Sequence, residues 1–67
     1  MKLYIASMNC GGCAKSITAT ILQVDPAATV QVDLDARTVT VQSTQPALAF
    51  EGALIEAGFP PVLQPAA

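Results

Sequence analysis

Both cysteines of this 67-residue chain lie in one hexapeptide, Met8-Asn9-Cys10-Gly11-Gly12-Cys13. Thiolates are soft donors, and two of them separated by two residues can converge on one soft cation. The chain has no histidine, so by itself it cannot complete the four-ligand shell of a structural zinc site without carboxylates, water or a second molecule. Two thiolates suit Cu(I), which accepts low coordination numbers. Cys10 and Cys13 are therefore the expected metal ligands and Cu(I) the expected cargo. Met8 reads two ways: as a third soft ligand, or as a flexible apolar plug that ties the loop to the core.

Other uses of a Cys-x-x-Cys pair fit less well. A disulfide here closes a tiny loop and removes little entropy from the unfolded chain. A redox pair has this placement at a helix start, but the flanking aromatic and proline residues of that arrangement are missing and the chain is short for it. A zinc ribbon needs a second Cys-x-x-Cys, which is absent. The carboxylates Asp25, Asp33, Asp35, Glu51 and Glu56 stand singly or beside turns and read as solvated surface. Nothing supplies them with a partner for acid–base work, so no catalytic residue and no enzyme is expected.

The elements around the pair follow from periodicity. Leu3-Tyr4-Ile5-Ala6 reads as a short strand, and Ala14 to Val24 as a helix with Ile17, Ile21 and Val24 on its apolar face. This puts Cys10 in a loop and Cys13 at the helix opening, where unpaired N–H groups and the positive dipole end favour a thiolate. Cys13 is thus expected to be the more acidic thiol. Gly11 and Gly12 place no side chains between the ligands, so the loop can bend and another protein can reach the site. Asp25-Pro26 ends the helix. Val30, Val32 and Leu34 then alternate with polar residues as a strand, Asp35-Ala36-Arg37 turns, and Thr38 to Gln42 returns. Pro46 opens a second helix with Ala47, Phe50, Leu54 and Ala57 on one face, and Gly58 fits its C-terminal cap. Pro60-Pro61-Val62-Leu63 is left as an edge strand or strand-like tail.

The order β-α-β-β-α-β predicts one domain over residues 1–67, an α/β sandwich of ferredoxin-like type. A four-stranded antiparallel sheet carries both helices on one face. Tyr4, Gln31, Asp33, Thr38, Thr40 and Gln42 are expected on the other face, and Gln64-Pro65-Ala66-Ala67 as a loose end. The net charge is −2, and Lys2, Lys15 and Arg37 are the only basic groups. They form no patch for nucleic acid or an anionic membrane. No apolar run approaches the roughly 18 to 20 residues of a membrane span, and the start is too short for a signal peptide. A reducing cytoplasm, which keeps both thiols available, is the expected setting.

Over nearly its whole length, through Met8-x-Cys10-x-x-Cys13, the element order and Gly58-Phe59, the chain resembles heavy-metal-associated (HMA) domains. By size it resembles the small cytosolic copper chaperones of bacteria. The resemblance implies that Cys10 and Cys13 bind metal, and that an aromatic near the position of Phe59 packs beside the site. Phe59 is then either plain core or a cap over the metal loop. It also implies delivery by thiolate exchange to a metal-transporting P-type ATPase or its HMA domains, with a metal-bridged homodimer or glutathione as further thiol sources. A stand-alone HMA domain for Zn(II) or Hg(II) relay or sensing, and a small thiol oxidoreductase, are the alternatives. Three positions depart from the family pattern. Ser7 stands where glycine is usual, and Phe59 where bacterial chaperones often carry tyrosine. Asn9 is the neutral counterpart of an aspartate associated with zinc-selective relatives.

Overall fold

The computed structural model describes residues 1–64, so the looseness expected of Pro65 to Ala67 lies outside the described residues. The elements run β1 (Lys2–Tyr4), α1 (Gly11–Val24), β2 (Thr29–Asp33), β3 (Thr38–Gln42), α2 (Ala47–Glu56) and β4 (Val62–Gln64). The four strands form one sheet in the order β2-β3-β1-β4, every neighbouring pair antiparallel. This is the expected ferredoxin-like βαββαβ fold. Gln64, expected to be loose, instead pairs with Lys2 at the end of β4.

The alternation of the strands sorts their two faces. Leu3 lies opposite Val39, and Val39 opposite Val32, on the face the helices cover. Lys2, Thr40 and Gln31 line up the same way on the open face, where Tyr4, Asp33, Thr38 and Gln42 also lie, exposed or half-buried. Leu3, Ile5, Val39 and Val41 from the sheet side meet Ile17 and Ile21 of α1, Phe50 and Leu54 of α2, and Met8. All nine are at most 1% exposed. Burying a side chain of this kind stabilises the fold by about 1.5–3 kcal/mol relative to leaving it in water.

Two faces are narrower than periodicity predicts. Leu34 does not extend β2; it is 41% exposed in the turn. The strand stops because the Asp33 carboxylate accepts the Ala36 N–H at 3.1 Å and the Arg37 N–H reaches back to the Leu34 carbonyl at 3.2 Å. Ala57 leaves the α2 face for the same kind of reason. It is the C-cap, and the helix closes with the Gly58 N–H on the Ile55 carbonyl at 3.1 Å and the Phe59 N–H on the Leu54 carbonyl at 2.8 Å. That pair of bonds is a Schellman closure, and it needs the left-handed φ of 91° that Gly58 supplies.

Register places three connections at one end of the sheet. Tyr4, the last residue of β1, lies opposite Thr38 at the start of β3 and Val62 at the start of β4. The cysteine loop, the β2–β3 turn and the Phe59 corner therefore gather together.

Candidate metal centre

The chain approaches the cysteines through a pinned turn. The Ile5 N–H donates to the Arg37 carbonyl at 2.8 Å, the Met8 N–H closes back on the Ile5 carbonyl at 3.0 Å, and the Arg37 Nη1 donates to the Ala6 carbonyl at 3.2 Å. Ser7 is exposed in that turn, while Met8 drops fully into the core. Of the two readings of Met8, its burial supports the plug. Asn9 and Cys10 then emerge at the surface.

Helix α1 starts three residues before the apolar pattern predicts. Cys10 is the N-cap, extended at φ −155° and ψ 166°, and the Ala14 N–H closes the first turn on its carbonyl at 3.2 Å. Gly11 and Gly12 are therefore helical residues and not a bending loop. A Cβ at Gly11 would meet nothing within 4 Å, and one at Gly12 only the Cys10 Sγ at 3.9 Å, an ordinary contact. What the glycines provide is an uncovered approach to the sulfurs.

Cys10 is exposed, Cys13 half-buried and packed against the core, and both are free thiols. The Cys10 thiol donates to the Cys13 Sγ at 3.2 Å. A metal bonded to both at about 2.3 Å, the length of a zinc–thiolate bond, spreads them to at most about 4.6 Å. The exposed Cys10 side chain can open by that amount while Cys13 stays anchored. Among the described residues no group of three or more histidine, cysteine, aspartate or glutamate side chains gathers.

The electrostatics single out Cys10, which is held below the ordinary cysteine range. The backbone N–H of Cys13 is the main cause, helped by the Cys13 thiol and the Gly12 N–H, with burial opposing. The large sulfur forms no short capping bond of the kind an oxygen would. The N-cap position nonetheless faces it toward the free amides of the first turn, which favour a negative charge.

Phe59 is half-buried and packs against the cluster that contains Met8. One residue was absent from the expected site. Asn9 presents its side-chain oxygen to the Cys13 thiol, which donates to it at 3.9 Å. A spacing of four residues along a chain entering a helix is the signal that points to this contact.

A family model described as "Heavy-metal-associated domain" matches residues 2–60. The "Copper transport protein ATOX1 homolog" of Dictyostelium discoideum is 31% identical over 42 residues, and the match covers 63% of either chain. The chain thus spans under two thirds of that relative's length. Two solved structures superpose with a TM-score of 0.89. One is a gold binding protein at 44% identity, covering 91% of this chain and 94% of that one. The other is the copper chaperone Atx1 of Synechocystis PCC6803 in a trimeric Cu1 form, at 31% identity over 92% of this chain and 98% of that one.

Proposed function

The chain belongs to the heavy-metal-associated domain family, and from that membership we propose that it is a copper(I) chaperone. It holds one Cu(I) between Cys10 and Cys13 and passes it to a dithiol partner. The observation that carries this reading is the pair of free thiols 3.2 Å apart, Cys10 exposed and Cys13 half-buried, with no histidine, cysteine, aspartate or glutamate gathered as a third ligand among the described residues. The copper chaperones among its structural relatives support the choice of metal.

Two-coordinate Cu(I) stays open to attack by a further thiolate. In the proposed transfer a partner thiolate bonds to the metal first and the bond to Cys10 then breaks. Cys10 leaves first because it is exposed, whereas Cys13 is held against the core. The acceptor is a metal-transporting P-type ATPase or one of its HMA domains, and glutathione fills the open position meanwhile. The reading assigns the chain no catalytic residue and places it in the cytoplasm, where its thiols stay reduced. No helix among the described residues is long and apolar enough to cross a membrane. A wider soft-metal cargo is the second reading, favoured by the gold binding protein at 44% identity.

Mixing the Cu(I)-loaded chain with a metal-free HMA domain of such an ATPase and separating the two tests the proposal. Copper is expected on both proteins after mixing, and excess Zn(II) is not expected to displace it. Copper that stays wholly on the first chain, or yields to Zn(II), overturns the chaperone reading.

A further inference from the structure

Asn9 sits just before the N-cap of α1, exposed and outside the core cluster. Its side-chain oxygen is nevertheless the acceptor for the Cys13 thiol, at 3.9 Å, while the Cys13 Sγ accepts from Cys10 at 3.2 Å. The three side chains form a line, Cys10 to Cys13 to Asn9. Its end member is an amide, a group that carries an acceptor oxygen and a donor NH2 on one carbon.

We propose that Asn9 is a positioning residue for Cys13 in both states of the site, accepting from the thiol when metal is absent and donating to the sulfur when metal is bound. The inference rests on the reading that the pair holds Cu(I). When the metal bonds to Cys13 it takes the place of the thiol proton, which leaves to solvent, so the sulfur changes from donor to acceptor. An oxygen facing it is then repelled. A half-turn of the exposed amide replaces that oxygen with N–H groups, with no movement of the backbone. A carboxylate at this position can serve the metal-free state only, since it has no N–H to offer. An alanine serves neither.

This separates two variants that a merely structural residue would not separate. Asn9→Asp keeps the size and the acceptor but loses the donor, and Asn9→Ala loses both. Because the residue is exposed, both are expected to fold with the wild-type Tm. In the metal-free protein, timed alkylation followed by mass spectrometry is expected to show Cys13 modified faster relative to Cys10 in Asn9→Ala, and no faster than in the wild type in Asn9→Asp, whose carboxylate keeps the acceptor and disfavours the thiolate. In Cu(I) competition against a chromophoric chelator, both variants are expected to bind about fivefold more weakly, the weight of one net hydrogen bond. Asn9→Asp is expected to be at least as weak as Asn9→Ala, since it sets a second negative charge beside the thiolates. Wild-type affinity in Asn9→Asp, or an unchanged alkylation ratio in Asn9→Ala, overturns the inference. Failure of the wild-type chain to bind Cu(I) overturns the chaperone reading instead, and the alkylation arm still decides the metal-free half.

Discussion

Met8 shows at the level of one side chain how fold and chemistry divide in this loop. It is a fully buried member of the core cluster against which Cys13 packs, and that burial supports a packing role. Met8→Ala is expected to cost about 2–4 kcal/mol by leaving a cavity. Met8→Leu conserves volume and is expected to cost under about 1.5 kcal/mol while leaving Cu(I) affinity unchanged. A well-folded Met8→Leu that lost copper would make the sulfur a ligand. Phe59 is only half-buried, so Phe59→Ala is expected to fall below the roughly 3–5 kcal/mol of a fully buried ring. If the ring shelters the loop, that variant also releases metal to chelator faster. The thiols make a prediction of opposite kind, about reactivity. A lowered Cys10 pKa means its thiolate is present at lower pH, so its alkylation rate in the metal-free protein rises through a midpoint below that of a cysteine in an unfolded peptide measured alongside. A midpoint at or above that value contradicts the N-cap account. Residue type and spacing made Cys10, Cys13, Met8 and Phe59 legible as a group. The lowered pKa of Cys10 was not legible, because it depends on Cys10 capping the helix, and the two glycines hid the helix start behind their poor propensity.

The same glycines matter at the scale of the element. Since Gly11 is helical with open space around it, Gly11→Ala is expected to stabilise the chain by about 0.5–1 kcal/mol in thermal unfolding and to leave equilibrium Cu(I) affinity intact. Gly58 is the reverse case. Its φ of 91° closes α2, and Gly58→Ala is expected to destabilise by about 1–3 kcal/mol; a neutral result would mean the corner can rebuild without the Schellman bonds. Most of the element order was legible because strands and helices here carry clean periods of two and of three to four. The errors fall where a polar side chain or a cap overrides the apolar count. Leu34 fits the alternation of β2, yet the Asp33 carboxylate turns the chain before it. Arg37, the residue in that turn with a left-handed φ of 55°, ties the turn to Ala6, a long-range link that no periodicity reveals.

At the scale of the whole molecule, the fold brings the cysteine loop, the Arg37 turn and the Phe59 corner to one end and leaves the proposed ligands there, Cys10 exposed and Cys13 half-buried. A Cu(I) held by two thiolates there is under-coordinated, so loaded chains are expected to share thiolates in pairs when free thiol is scarce and to become monomeric when glutathione is added. Sedimentation that stays unchanged across copper and protein concentrations counts against sharing. This behaviour depends on the dithiol as the binding unit, and that unit is what a direct titration examines. Cu(I) added anaerobically to the wild-type chain and to the Cys10→Ser/Cys13→Ser double variant, each against a chromophoric chelator, is predicted to give one tightly held copper per wild-type chain and none in the variant. Tight retention of copper by the folded double variant would contradict the assignment of Cys10 and Cys13 as the metal site.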